Sequence, residues 1–173
     1  MYKDILEEYK DDGFVFRFLK EDDIDDILLL EDENTKPEVF VKITRQELLE
    51  SVKEDIVIGA YSENILAGFC LMIKNRATSR SLAPDIKEKS MDTVTFDAVV
   101  VNAKYRGHAL QKKFISLCCD IARSLTPAPK FMAATVSPNN SFSKRNFLQS
   151  GFVVKDEKEK YGGNLRLVVA KEI

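Results

Sequence analysis

Residues 105–110, YRGHAL, have the composition of an anion-binding turn. They follow a strand-like apolar run, 93–101, and lead into an amphipathic stretch, 108–123, that predicts a helix. Gly107 permits close backbone approach to a ligand, and Ala109 is small enough to leave the same space. The first amides of a helix lack intrahelical acceptors and lie at the positive end of the helix dipole. The segment therefore predicts a pyrophosphate site where this helix begins.

Basic side chains surround this turn. Lys104 precedes it, Arg106 lies within it, and Lys112 and Lys113 follow in the first turn of the predicted helix. A tight connection without any ligand is an equally good interpretation of the turn alone. The segment has neither the three spaced glycines of a dinucleotide-binding turn nor the Gly-Lys-Ser/Thr of a Walker loop.

Asp97 is a second candidate functional residue, because its charged side chain interrupts the apolar run 93–101. A central strand is normally apolar throughout, and a buried carboxylate is costly unless it is paired or hydrogen-bonded. Strict alternation places its side chain on the face of Val99. The alternative to a functional role is a structural carboxylate that is hydrogen-bonded to a neighbouring backbone group or paired with an arginine.

His108 is the only histidine, and its place beside Gly107 favours contact with the loop or a phosphate over acid–base catalysis. The chain has three cysteines, at positions 70, 118 and 119, and no Cys-x-x-Cys pair. An odd count is not a disulfide framework, and the cysteines are interpreted as packing residues. We expect no metal site.

The predicted strands and helices that position these residues follow one another in the order β-α-α-β-β-β-α-β-α-β-β. This order predicts an α/β (α+β) domain spanning residues 1–173, with a mixed sheet covered by helices. Strands are predicted at 14–18, 56–61, 65–73, 93–101, 131–136, 152–156 and 164–170. Helices are predicted within 2–11, from Asp22 or Asp23, from Thr44 to about Lys53, over 108–123 and from about Asn140. Residues 74–90 predict a mobile loop, of a length that is usually functional or disordered.

The composition is that of an ordinary soluble protein, with 45% hydrophobic and 31% charged residues. A formal charge of -2 argues against nucleic acid as the main partner. The N-terminus lacks the apolar run of a signal peptide, and no apolar segment is long enough to cross a bilayer. We therefore expect a cytoplasmic protein without a membrane partner.

Residues 99–110 resemble the acetyl-CoA-binding motif of the GNAT superfamily of acyl-CoA-dependent N-acetyltransferases. That motif reads Gln/Arg-x-x-Gly-x-Gly/Ala, and it falls here on Lys104, Gly107 and Ala109. Residues 140–152 resemble the second motif of the family, in which an asparagine is followed by an aromatic residue and a Gly-Phe pair. The element order from residue 14 onward also matches, so the resemblance covers most of the chain.

The resemblance implies a GNAT-like, mostly antiparallel central sheet of about six to seven strands flanked by helices, in which a splayed strand pair holds CoA. The cofactor-binding core would lie within residues 93–152. The main chains of Val99 and Val101 would bond the pantetheine amides, and Asn140 would lie beside the pantetheine arm. The pyrophosphate would be held by the amides of Arg106, Gly107, His108, Ala109 and Leu110. Lys104 preserves a positive charge but not the bidentate geometry of arginine.

The activity implied is acetyl transfer from acetyl-CoA to a primary amine by direct attack in a ternary complex. Asp97, near the predicted acetyl end, is assigned as general base or amine-binding carboxylate. Phe147 stands where many family members have a tyrosine that protonates the leaving thiolate, and it has no hydroxyl. Two alternative functions therefore remain open. One is a non-catalytic CoA-binding module, and the other is an α/β protein that binds a different phosphate ligand.

The acceptor is expected to be a small-molecule or peptide amine, and the protein a monomer or homodimer. Tyr61 and Tyr161 are candidates for proximity to the acceptor. The loop 74–90 would cover the substrate, and its basic residues would suit an anionic group there or simply lie in solvent. Those residues are Arg76, Arg80, Lys87 and Lys89.

Overall fold

The computed structural model describes residues 2–6 and 9–173, with the side chains of Tyr2 and Lys3 left aside. One eight-stranded sheet, in the order β1-β2-β3-β4-β5-β6-β8-β7, forms its centre. All neighbouring strands are antiparallel except β5 and β6, which are parallel. The strands are β1 Lys10–Asp11, β2 Phe14–Phe18, β3 Ile56–Ser62, β4 Ile65–Ile73, β5 Thr93–Val101, β6 Phe131–Val136, β7 Val153–Lys160 and β8 Asn164–Glu172. The helices are α1 Ile24–Asn34, α2 Arg45–Glu54, α3 Leu110–Arg123 and α4 Ser141–Gln149.

Helices cover both faces of the sheet. The apolar face of α3, including Phe114, packs with β2 and β4 in one core cluster. Ile27 of α1 and Leu48 of α2 are fully buried and belong to a second cluster on the opposite face. The predicted element order from residue 14 onward is therefore confirmed, as is a mixed sheet covered by helices. The strand count exceeds the expected six to seven.

Local sequence signals explain where several helices begin. The hydroxyl of Thr44 accepts a hydrogen bond from the Glu47 amide at 3.2 Å, and the Glu47 carboxylate accepts from the Thr44 amide at 2.7 Å. This reciprocal capping box begins α2 as predicted. Asn140 caps α4 by accepting from the Ser143 amide at 3.1 Å.

The N-terminal segment departs from its prediction. Residues 2–6 form a 3-10 helix, but Lys10–Asp11 form a strand paired with β2 rather than the end of a helix. Asp12 and Gly13 have φ values of 50° and 79°, the conformation of a two-residue hairpin turn. An Asp-Gly pair between two extended segments is a hairpin signal, and it overrides the helical interpretation. Glu7 and Glu8, within the predicted helix, lie outside the described residues.

Other boundaries shift as well. Helix α3 begins at Leu110 and not at His108, because Ala109 adopts a left-handed conformation with φ 57°. Residues 74–90 are not an unattached loop: Leu82 and Ala83 are buried, and the Leu82 amide donates to the Thr95 hydroxyl at 2.9 Å. Within the described part of the chain, no helix combines the length and apolar character needed to cross a bilayer.

Candidate functional site

Strands β5 and β6 separate partway along their length. Their parallel pairing runs from Thr93 opposite Phe131 to Phe96 opposite Ala134 and stops there. The remaining half of β5, from Ala98 onward, pairs only with β4. A gap therefore opens between two strands that are adjacent in the sheet.

The unpaired main-chain groups of β5 face this gap. The Asn102 amide donates to the Ala67 carbonyl at 2.9 Å, toward β4. Main-chain groups alternate in direction along a strand, so Val100 also faces β4 while Val99 and Val101 face the opposite side. The main-chain groups of both valines therefore point into the gap, where they are available to a ligand.

The turn after β5 leads the chain to an uncapped helix. Gly107 has φ 92° and Ala109 has φ 57°, both in the left-handed region. The first helical hydrogen bond runs from the Lys113 amide to the Ala109 carbonyl at 3.1 Å. Ala109 has no side-chain acceptor for the amides of the first turn, and the space around the α-carbon of Gly107 is open. The geometry suits an anion at the positive end of α3.

The cations of the turn are held by other protein groups. Arg106 Nη2 donates to the carbonyl of Asn34 at 3.3 Å, and Lys104 Nζ lies 5.4 Å from the centre of the Tyr105 ring. Lys112 Nζ donates to Gln149 Oε1 at 2.5 Å. Main-chain amides, rather than these side chains, are thus the groups left for an anion.

The side chains of His108 and Lys113 face the β1–β2 hairpin. His108 Nδ1 lies 3.2 Å from Asp12 Oδ2, and its ring packs edge-on against Phe14 at 5.4 Å. Lys113 Nζ lies 3.0 Å from Asp11 Oδ2. The expected phosphate contact of His108 can involve its main chain, but its imidazole is occupied by the hairpin.

Asn140 and Phe147 lie beside the gap. Together with Val99, Val136 and Ser143 they line a small cavity of about 60 Å³. Phe147 is 3% exposed and packs edge-on against Phe96 and Phe152, with ring centres 5.9 and 5.0 Å apart. The structure thus brings together Val99, Asn140 and Phe147, which the sequence placed in two separate motifs.

A larger cavity of about 300 Å³ adjoins the small one. Its walls come from the segment before α2, the start of α2, the loop 79–82, the strands β5, β6 and β8, and the β7–β8 hairpin around its turn. Asp97, Ala98 and Thr135 line both cavities. The complete lining is Val39, Phe40, Val41, Lys42, Ile43, Glu47, Ser79, Arg80, Ser81, Leu82, Asp97, Ala98, Thr135, Lys160, Tyr161 and Arg166.

Asp97 occupies a β-bulge. Its neighbours Phe96 and Ala98 pair with Met72 and Leu71, which are consecutive, so Asp97 is the extra residue of β5. The bulge breaks strict alternation, and the expectation that Asp97 shares the face of Val99 is therefore wrong. Val99 packs against the α3-side core, whereas Ala98 joins the core of the other face.

The electrostatic environment of Asp97 is dominated by burial and by Arg80. Burial raises the pKa of the Asp97 carboxyl, and the ion pair with Arg80 opposes that rise. Arg80 Nη1 also donates to the Ser51 hydroxyl at 2.9 Å, which fixes the guanidinium between α2 and β5. Asp97 is thus paired with an arginine, as the structural alternative expected. It nevertheless lines both cavities.

Several cavity residues were missed or left open by the sequence analysis. The Tyr161 hydroxyl lies 3.1 Å from the Thr135 hydroxyl in the cavity wall, while Tyr61 lies elsewhere, against Arg17 and Asp23. Arg166 is 4% exposed. The signal that singled out Asp97, a charged residue within an apolar strand, also exists for Arg166 between Leu165 and Leu167 and would have found it.

The basic residues of the loop 74–90 separate into two groups. Arg80 lines the larger cavity, whereas Arg76 Nη2 lies 2.8 Å from Asp55 Oδ2, outside it. Lys87 and Lys89 are not among the lining residues. One of the four thus faces the candidate site.

The cysteines are free and buried, in agreement with their interpretation as packing residues. Cys70 Sγ and Cys118 Sγ are 3.7 Å apart, and burial together with this neighbour raises the pKa of Cys118. Among residues 2–6 and 9–173, no group of three or more His, Cys, Asp or Glu side chains is placed to hold a metal ion.

The fold is that of the GNAT superfamily. The chain is similar to the acetyltransferase of GNAT family from Streptococcus pneumoniae, with a TM-score of 0.70 and 14% identity over 92% of this chain and 99% of that one. It is similar to yncA from Salmonella typhimurium, solved with its cofactor acetyl-CoA, with a TM-score of 0.69 and 18% identity over 93% and 94% of the two chains. Arabidopsis thaliana Naa50, in complex with the bisubstrate analogue CoA-Ac-MVNAL, gives a TM-score of 0.72 and 16% identity over 93% and 99%. No family model and no curated protein matches the sequence.

Proposed function

We propose that this protein is an N-acetyltransferase that transfers acetyl from acetyl-CoA to a primary amine by direct attack in a ternary complex. Residues 1–173 would act as one domain, with residues 93–152 as its cofactor-binding core. The observation that carries the proposal is the gap between β5 and β6, which leads directly to the uncapped start of α3.

The cofactor fits the groups that this cleft offers. Val99 and Val101 present main-chain donors and acceptors that can pair with the amides of a pantetheine arm, as a neighbouring strand would. The open space at Gly107 and the amides from Gly107 to Leu110, which have no acceptor in the described part of the chain, suit a pyrophosphate. The Arg106 amide donates to the Ala103 carbonyl at 3.4 Å and is not free in this structure. Solved structures with the same fold hold acetyl-CoA or a CoA-containing bisubstrate analogue.

The junction of the two cavities is suited to the transfer step. An acetyl group reaching the small cavity from the gap would meet an amine bound in the larger one, next to Asp97. The carboxylate of Asp97 would hold the amine or accept its proton, and main-chain amides of β5 would stabilise the oxyanion. A direct attack is favoured because, within residues 2–6 and 9–173, no cysteine or serine has an adjacent base that would activate it for an acyl-enzyme.

Two measurements test this function in sequence. Titration calorimetry compares CoA with ATP and NAD, and we expect CoA to bind at least about tenfold more tightly, because the gap offers contacts that only the pantetheine arm can use. Thiol release from acetyl-CoA is then followed against a panel of primary amines. Equal affinity for the three ligands would contradict the cofactor assignment.

A second candidate is a CoA-binding module without transferase activity. Phe147 favours it, because the buried ring places no proton donor in the small cavity. Tight CoA binding without thiol release for any amine in the panel would support this candidate over the enzyme.

A further inference from the structure

Arg166 lines the larger cavity and forms no ion pair with the described residues of the chain. The residue is 4% exposed, and Nη1 donates to the carbonyl of Leu165 at 2.9 Å. Its Nη2 is buried without a hydrogen-bond acceptor in the described part of the chain. A buried charged donor without a partner is costly, so a ligand that supplies an acceptor would gain a strong interaction here.

The other charged side chains of the cavity already have partners. Three cations of the wall form ion pairs, and the one remaining carboxylate, Glu47, accepts hydrogen bonds from the Thr44 amide and hydroxyl, both at 2.7 Å. The three pairs are Lys42 with Asp32, Arg80 with Asp97, and Lys160 with Asp85. Among the described residues, the positive charge left without an ion-pair partner in the cavity wall is therefore that of Arg166.

The position of Arg166 follows from the pleat of β8. Leu165 is exposed, and Leu167 packs in the α3-side core, so the side chain of Arg166 emerges on the sheet face covered by the loop 74–90. Ala170, four residues later on the same face, packs with Leu82 of that loop. The guanidinium thus lies beneath the loop, where the hydroxyls of Tyr161 and Thr135 also line the cavity.

We propose that the acceptor is a small amine that carries a carboxylate, of the size of a free amino acid, with its carboxylate bound to Arg166. This inference rests on the proposed function and names its substrate class. A guanidinium forms charge-assisted hydrogen bonds with a carboxylate, and these are stronger than bonds between neutral groups. The cavity of about 300 Å³ lies at the lower end of small-molecule sites, which suits an amino acid rather than a folded partner.

In this arrangement the acceptor bridges two charged groups of the chain. Its carboxylate faces Arg166, and its amine faces Asp97 at the junction with the small cavity. The amine nitrogen forms a bond to the acetyl carbon while the carbon–sulfur bond of acetyl-CoA breaks. The proton released by the amine balances the thiolate that leaves, so the products are the N-acetylated acid and CoA thiol.

The test compares amino acids of increasing length with their carboxamides, which keep the amine and remove the charge. We expect kcat/KM to favour the carboxylates by about tenfold or more, because a site with buried polar groups rejects analogues that leave those groups unpaired. Arg166→Gln should bring this ratio close to one. Arg123→Gln, the same change on an exposed residue of α3, should preserve it.

The two proposals fail in different ways. CoA binding without thiol release for any amine would overturn the transferase function itself. Acetylation of the carboxamides at the rate of the carboxylates would overturn only the role of Arg166, as would preferred acetylation of amidated peptides with neutral side chains. If Arg166→Gln proves unstable, the shift in the wild-type melting temperature caused by each acid and its carboxamide gives an independent measure. Equal shifts would also contradict the inference.

Discussion

Asp97 and Arg80 form an ion pair that joins the bulge of β5 to the loop before that strand. The pair lies at the junction of the two cavities, and Ser51 of α2 holds the other side of the guanidinium. Three separate segments of the chain are thereby connected at the position proposed for the transfer step. Burial raises the pKa of the Asp97 carboxyl, and Arg80 opposes that rise.

Replacement of Asp97 tests its role in turnover. Asp97→Asn should lower kcat more than about tenfold while leaving the Kd for CoA nearly unchanged, because the carboxylate lies beside the cofactor gap rather than in it. Steady-state kinetics and calorimetry on the same protein separate these effects. Asp120→Asn, on the exposed side of α3, is the matched control. Unchanged turnover in Asp97→Asn would exclude a catalytic role.

The pH dependence of kcat/KM provides a second measure of Asp97. Burial raises the pKa of this carboxyl, so its charged form develops at higher pH than in an exposed aspartate. The wild-type rate should rise with pH through this ionisation, since only the carboxylate can accept a proton or hold the amine. Asp97→Asn should lack that rise. A rise that persists in the variant would assign it to another group.

Gly107 allows a test of the cofactor loop against a control of similar geometry. Gly107→Ala should weaken CoA binding by roughly tenfold, because an L-residue at φ 92° is disfavoured by about 1–2 kcal/mol and shifts the amides of the turn. Gly162, in the β7–β8 turn, has φ 79° and equally open surroundings. Gly162→Ala should impose a similar strain without changing the Kd for CoA. Equal losses in both variants would show a general effect of strain.

The sequence predicted the fold well because its signals were local. The apolar runs of β3 to β6, the capping box at Thr44 and the Asn140 cap all act within a few residues. The bulge at Asp97 could not be predicted, because it depends on the register between β5 and β4. The larger cavity could not be predicted from the sequence either. Its residues Arg80, Tyr161 and Arg166 come from distant segments that only the folded sheet brings together.

A hydroxyl at Phe147 would test the source of the proton for the leaving thiolate. The ring lies in the wall of the small cavity, near Asn140 and Ser143. If thiolate protonation limits the rate, Phe147→Tyr should raise kcat by about tenfold. Phe152→Tyr adds a hydroxyl to the neighbouring buried ring, which does not line either cavity, and serves as the control. No gain in Phe147→Tyr would indicate that another group or water supplies the proton.

Glu31 is expected to make the stability of the protein depend on pH. The residue is 1% exposed, its Oε1 has no hydrogen-bond partner in the described part of the chain, and burial raises its pKa to about 7. Between the ordinary carboxyl pKa and about 7, the folded state retains a proton that the unfolded chain has released. The free energy of unfolding therefore falls as pH rises through this window.

Glu31→Gln should remove this loss, because a neutral amide resembles the protonated carboxyl. The variant should match the wild type below about pH 4.5 and exceed it by about 2 kcal/mol above pH 7, a figure reduced for partial solvent screening. Chemical denaturation across this pH range measures the difference. Glu33→Gln, on an exposed position of the same helix, should follow the wild type at every pH. A Glu31→Gln curve parallel to that of the wild type would mean that the pKa of Glu31 is the same in the folded and unfolded states.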